Sequence, residues 1–488
     1  MKLFLIGWAE SCPELVDAVE ELEKNGHEIV YWARNEDPVA IDHSRFPNTA
    51  FHSYHEARNS IPTPQIPCDK YPHPDESLLK ELASTELLVL PMMNKIYQGL
   101  SVSERRQIFI QFIRYWLGLI DQYKPELIFF NTTPHAPLYF ALYGLAKHLG
   151  IKTSMFEFTW VEGRMIWMDD IQEGSLLLRD NFERLRSSQI SAEDLPADIR
   201  KLYERHNDPE VDTSPSYLTD GLKTYTATKK IIRKIRNFFT SIFKPKLFFS
   251  KARRFYINLP NMISKLSYYF RHNLPRAYRS LQIAPDFNRN FIYVPLHLQP
   301  ECTTNPIGET FQDQIFLIET LADSLPNDWV IYVKEHPFQW PYYGNGFTED
   351  RYRSYYGRIA RIPNVFLVPI ETPTLDLIGK SQAVATVSGT AGWETILRGK
   401  KPALVFGRAW YQYAPGAIRI KSKEDCRKVF DMITKGFSIP VNDTLAYLLA
   451  LDKSSLVGYI DSESKKVSKL TPKENMQNFL DAFLLILK

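Results

Sequence analysis

The chain has only four cysteines in 488 residues: Cys12, Cys68, Cys302 and Cys426. They are far apart and no CxxC spacing occurs, which argues against a disulfide framework and a zinc site and makes a reducing cytoplasm the simplest home. No run of 18 apolar residues occurs, so no segment reads as a membrane span. The opening Met-Lys-Leu-Phe-Leu-Ile-Gly is too short in its apolar part for a signal peptide, and reads as a first β-strand. No Asp-x-Asp stands at a predicted strand end, and Asp169-Asp170 reads as a solvated turn. Acidic residues are missing from one long stretch. Between Lys223 and Arg279 there are 15 Lys and Arg and no Asp or Glu, so with a total of +3 the remaining chain is net −12. A basic segment on an acidic body is a directional electrostatic feature.

What is present is a soluble globular composition, 44% hydrophobic and 24% charged, long enough for two or three domains. Residues 2–7 read as a strand, 13–25 as a helix and 27–33 as a second strand, which is a βαβ opening. Residues 34–85 yield no clear elements. Leu87–Pro91 reads as a short buried strand, 102–123 as a helix, and 125–131 as a strand. A helix ending at His148 and a strand over 151–156 follow. Alternating strands and helices predict a parallel sheet covered on both faces. Residues 170–289 break that rhythm and read as a helical insertion containing the basic segment 223–279. Alternation resumes at Asn290, with strands at 291–296, 329–334, 364–369, 383–387 and 402–406. Helices are expected over 309–324, 349–361, 374–380 and 391–399. The fold class is therefore α/β, with two Rossmann-like domains. The expected divisions are 1–169, 170–289, 290–450 and 451–488, the last with a helix over 472–487 that crosses back.

Two strand ends in the second half carry chemistry. Trp-Val-Ile-Tyr-Val runs into Lys334-Glu335-His336-Pro337, where Pro337 fixes the turn and His336 can donate to a phosphate oxygen while Lys334 adds positive charge. Ala-Val-Ala-Thr-Val runs into Ser388-Gly389-Thr390-Ala391-Gly392-Trp393-Glu394, where a helix begins. Small residues there let an anion approach backbone N–H groups at a helix N-terminus, and the Ser388 and Thr390 hydroxyls add donors. Glu394, one turn in, could accept from ribose hydroxyls. Each residue also has a plain structural reading: His336 as a loop cap, Ser388 and Thr390 as helix caps, Glu394 as a capping-box partner.

Together with Gln299-Pro300-Glu301 upstream and Arg398-Gly399-Lys400-Lys401-Pro402-Ala403-Leu404-Val405-Phe406-Gly407 downstream, these motifs resemble the capsule polysaccharide biosynthesis family of bacterial glycosyltransferases. The resemblance runs from about Phe291 to Tyr411. It implies a two-domain GT-B enzyme that builds a surface polysaccharide from a nucleotide-sugar, most readily a CMP-linked Kdo- or sialic-acid-like donor. By that resemblance His336, Ser388 and Thr390 contact the donor phosphate and Glu394 the ribose. It implies no metal and no cofactor beyond the donor itself, since GT-B sites stabilise the leaving phosphate with helix N-termini and basic side chains. A CDP-polyol phosphotransferase, or a non-catalytic nucleotide- or glycan-binding partner of a capsule assembly complex, are the alternatives.

Inverting transfer also needs a general base for the acceptor hydroxyl. Glu10, His135, Glu157 and Glu301 follow predicted strands and can face the cleft. Glu10 and His135 lie in the half expected to bind a glycan or glycolipid acceptor and are the preferred bases; Glu301 could instead orient His336 or the donor. The basic segment interleaves cations with Phe and Ile, which suits an anionic membrane surface at the inner face of the cell membrane. Nucleic acid fits less well, because the rest of the chain is acidic; a solvated helical hairpin is the plain reading.

Overall fold

The computed structural model describes residues 1–9, 11–34, 41–97, 99–208, 211, 213, 273–344, 346 and 348–487. Glu10 and residues 223–272 of the basic segment lie outside them. The protein is α/β, with two Rossmann-like halves facing across a cleft.

The first sheet comprises β1 (Lys2–Ile6), β2 (Glu28–Arg34), β3 (Ala50–Ser53), β4 (Leu127–Phe130), β5 (Lys152–Phe158) and β6 (Arg164–Met168). The second comprises β7 (Phe291–Pro295), β8 (Val330–Lys334), β9 (Val365–Leu367), β10 (Ala383–Thr386), β11 (Ala403–Val405) and β12 (Ala417–Arg419). The last strand, β13 (Ser455–Val457), returns to the first sheet. The orders are β13-β6-β5-β4-β1-β2-β3 and β12-β11-β10-β7-β8-β9. All pairings of the second sheet are parallel, whereas β6 and β13 form an antiparallel edge to the first. In each half the strand order reverses beside the first strand, between β1 and β4 and between β7 and β10. Ligands of open α/β sheets bind at such switch points, beyond the carboxyl ends of the strands.

Continuous apolar runs make the central strands, because both sheet faces are covered. β4 is Leu-Ile-Phe-Phe and wholly buried, as is β10, Ala-Val-Ala-Thr. The helix Val102–Tyr123 starts at a capping box, Ser101 with Glu104, and ends at Lys124 in the left-handed conformation. The Leu87–Pro91 segment is not a strand. It belongs to the helix Ala83–Met92, with Leu87 65% exposed and Val89 buried. A short apolar run does not separate strand from helix, and here one face packs on neighbouring helices. The helix expected over 349–361 shrinks to Tyr355–Ile359, and Arg351 before it is drawn into the interior.

The connecting helices, Leu176–Arg186 and Ala197–Asn207, pack on the second half: Leu178, Phe182 and Ile199 share a core with Trp393, Trp410 and Tyr447. The end of the basic segment, Leu274–Arg279, also joins that half, with Leu274 and Tyr278 buried. The terminal helix Pro472–Ile486 crosses back to the first half. There Phe479 and Phe483 lie edge-on to the buried Trp8 ring, at centroid distances of 5.3 and 4.9 Å. Each such aromatic pair adds about 0.5–1.5 kcal/mol beyond its buried area.

Candidate active site

Three strand ends of the second half meet at its switch point. β7 ends in His297 to Glu301, β8 in Glu335 to Pro337, and β10 in the Ser388-Gly389-Thr390 turn. His297 ties the end of β7 to the end of β10. Its Nε2 accepts from the Val387 N–H at 3.2 Å and lies 2.8 Å from the Thr386 hydroxyl. Burial, with the neighbouring His336 and Arg351, pushes the His297 imidazole down to about 3, so the ring is neutral and can accept these bonds. Thr386 Oγ1 in turn accepts from the Gly389 N–H at 3.0 Å. A Cβ on Gly389 would lie 2.9 Å from both His297 and Thr386, so this close turn requires glycine.

The helix Thr390–Leu397 follows at once. The N–H groups of Thr390 and Ala391 have no acceptor among the described residues, and no acidic residue stands in the first turn. An open, uncompensated helix N-terminus attracts an anion. Tyr411 donates to the Gly389 carbonyl at 2.6 Å and fills the space a Cβ on Gly392 would need.

His336 sits beside His297. Its Nδ1 accepts from the Phe338 N–H at 3.1 Å, which places the proton of a neutral ring on Nε2. Nε2 has no protein partner among the described residues. Burial pushes the His336 imidazole down to about 4, so near neutrality it offers one neutral donor.

Other residues expected at the donor are bonded within the protein. Lys334 is buried, and its ammonium donates to the Thr372 carbonyl at 2.8 Å and to Thr374 Oγ1 at 2.6 Å. Burial brings it down to about 8. The Ser388 hydroxyl donates to the Thr303 carbonyl at 2.7 Å, tying the turn to the loop after β7. Glu394 faces the connecting helices: His206 Nε2 is 3.2 Å from one oxygen, and Thr213 donates to the other at 2.7 Å. Pro337 follows His336 and opens the short turn into Gln339–Tyr343.

A residue pair absent from the expectations holds this geometry. Glu335 and Arg351 are both fully buried. The guanidinium donates to both carboxylate oxygens, at 2.8 and 3.1 Å, to the His297 carbonyl at 3.0 Å, and to Gln299 Oε1. Glu335 also accepts from the His336 N–H at 2.8 Å and from Tyr356. One fork thus fixes the ends of β7 and β8 together. Alternation along β8 was the available signal: Glu335 points away from Lys334 and His336, and a buried acid needs a partner.

The facing wall comes from the first half. Glu10 follows β1 in the sequence and lies outside the described residues. His135 follows β4, its Nδ1 2.9 Å from the Thr133 carbonyl. It lines a cavity of about 50 Å3 with Lys95, Gln299, Glu301, Cys302 and Asn305. Glu301 accepts from Tyr343 and pairs with Lys95 across the cleft at 3.4 Å. Thr133 donates its hydroxyl to Glu157, at the end of β5. Burial raises the Glu157 carboxyl to about 7, against the opposing effect of Thr133. Glu157 lines a second, smaller cavity between the halves, with Arg408, Ile307 and Trp410. The halves touch at the first cavity through Asn305, which donates to the Leu88 carbonyl at 3.1 Å, and at the second through Arg408, which donates to Gln172 at 2.9 Å.

Among the described residues, no group of His, Cys, Asp and Glu is placed to hold a metal ion. No helix among them is long and apolar enough to cross a membrane.

Two Rossmann-like halves with strand-end loops converging on a cleft define the GT-B arrangement. Residues 195–419 match the profile of the family described as "Capsule polysaccharide biosynthesis protein", so the family resemblance seen in the motifs is borne out over that stretch. The match reaches upstream of the motifs into the helices before β7. No curated protein matches the chain in sequence. Solved structures match loosely. KpsC of Thermosulfurimonas dismutans, named as a beta Kdo 2,7 transferase, is 9% identical, with 80% of this chain and 95% of that chain covered and a TM-score of 0.29. The Neisseria meningitidis UDP-GlcNAc 2-epimerase bound to UDP-GlcNAc is 11% identical, covering 100% and 99%, with a TM-score of 0.24. Superpositions this loose add nothing to the reading of the site.

Proposed function

We propose that the protein is a glycosyltransferase of surface polysaccharide biosynthesis that uses a nucleotide-activated sugar, CMP-linked in the first instance. The observation that carries this reading is the open N-terminus of Thr390–Leu397 beside the free Nε2 of His336, at the switch point of the second sheet. The leaving phosphate rests on the Thr390 and Ala391 N–H groups and accepts from His336. Gly389 permits its approach, and the Thr390 hydroxyl adds a donor. Helix dipole and neutral donors then stabilise charge as it develops on the leaving group, which needs no cation. Glu394 and Ser388 shape this wall through their bonds to His206, Thr213 and Thr303, and Lys334 adds positive charge at longer range.

The acceptor hydroxyl enters from the first half. Glu157 suits the general base best, because a carboxyl near 7 is poised for proton transfer at neutral pH. His135 and Glu301 line the adjoining cavity and orient the acceptor. Inversion follows from attack opposite the leaving phosphate.

The test is donor turnover across CMP-, CDP-, UDP- and GDP-sugars. The expected result is turnover of a CMP-linked sugar, abolished in a folded His336→Ala variant. Turnover of a CDP-polyol instead would establish the phosphotransferase alternative. No turnover and no nucleotide binding would leave only a non-catalytic role.

A further inference from the structure

Arg408 and Arg419 form a second cationic feature of the cleft, separate from the helix N-terminus at Thr390. Arg408 follows β11, and its backbone is anchored by an N–H bond to the Ile307 carbonyl at 3.0 Å. Its guanidinium is held by two neutral amides, Gln412 from the second half and Gln172 from the first, the latter at 2.9 Å. No carboxylate lies within ion-pair distance of it among the described residues. Arg419, at the end of β12, donates to the Gly407 carbonyl and has one acid nearby, Glu309 at 3.6 Å. The Nε of each arginine is buried without a partner among the described residues. Burial lowers both guanidinium groups, Arg419 to about 10 with the nearness of Arg408 adding to the effect, while Glu309 opposes it at both and Glu173 and Asp170 oppose it at Arg408, none of them within ion-pair distance of Arg408. Withdrawing two like charges from water beside one another is costly unless an anion joins them.

Arg408 also lines the cavity that holds Thr133 and Glu157, so it shares that cavity with the proposed general base.

We propose that Arg408, backed by Arg419, binds a second anionic group of the donor, beyond the phosphate held at Thr390. The anion displaces the Gln172 amide when the halves part, exchanging a neutral acceptor for a charged one. A carboxylate on the transferred sugar and the second phosphate of a nucleoside diphosphate present the same chemistry. This inference rests on the donor-site reading given above.

The experiment is calorimetric titration of the full chain with CMP, CDP and a CMP-linked carboxylated sugar. Wild type, Arg408→Met and Arg408→Lys are compared, each first shown to be folded by its thermal transition. Wild type should prefer CDP or the carboxylated sugar, each with two anionic groups, over CMP, which has one. Preference for the carboxylated sugar identifies the anion as a carboxylate; preference for CDP identifies it as a phosphate. Arg408→Met should weaken the preferred ligand roughly tenfold to a hundredfold and CMP by less than about twofold, with partial recovery in Arg408→Lys. An unchanged preference in Arg408→Met, or none in wild type, overturns the inference alone. Failure of wild type to bind any of the three overturns the donor-site reading and this inference with it.

Discussion

Arg351→Met should be among the most damaging single changes in the second half. The perturbed group is a guanidinium with no solvent exposure, bound to a carboxylate that also has none. Removing it strands Glu335, whose remaining partners are Tyr356 and the His336 N–H. It also takes a donor from Gln299 and from the His297 carbonyl. Breaking a buried ion pair from one side costs about 3–5 kcal/mol, mostly as the uncompensated charge left behind. Adding Glu335→Gln removes that charge while retaining an acceptor for His336, so the double variant should recover about 2 kcal/mol or more of the loss. Urea unfolding followed by tryptophan fluorescence is the assay, and Trp340, 3.2 Å from the Tyr356 hydroxyl, is a local reporter. A cost below about 1 kcal/mol for Arg351→Met, or a double variant as unstable as the sum of the singles, would refute the reasoning.

Turnover should fall as pH drops through about 7, where Glu157 protonates, and not near 4, where His336 does. Glu157→Gln should flatten that limb and slow turnover by about 10²–10⁴-fold; an unshifted limb in the variant would assign the base elsewhere. The stability effect has the opposite sense: the folded chain holds this proton more tightly than the unfolded chain, so Glu157 costs stability as pH rises from about 4.5 to 7. Glu157→Gln should remove that slope in unfolding titrations. The basic segment 223–279 is expected to dock on anionic lipid, measured by co-sedimentation with anionic vesicles at low and high salt. Equal binding by a charge-neutralised variant would exclude that role.

Much of the frame is legible in the residues themselves. The helix Thr374–Lys380 matches expectation at both ends, and the strands that carry the His336 and Ser388 motifs fall where their apolar runs place them. Local chemistry made these readable: buried strands of a parallel sheet are apolar runs closed by turn residues. The uses of the polar groups were harder to read, because their partners are far away in sequence. Glu394 meets His206, 188 residues upstream, and Arg408 meets Gln172, 236 residues upstream. Arg351 lies in a polar loop with no motif, and only its burial against Glu335 gives it meaning. The short Leu87–Pro91 run was ambiguous for the opposite reason, since periodicity over so few residues does not distinguish helix from strand.

A donor phosphate is proposed to rest at the joined ends of β7, β8 and β10. A crystal structure of the full chain with CMP tests it most directly. The phosphate should lie within hydrogen-bond distance of the Thr390 and Ala391 N–H groups and of His336 Nε2. A nucleotide seated instead at the β1 and β4 ends of the first sheet would contradict it.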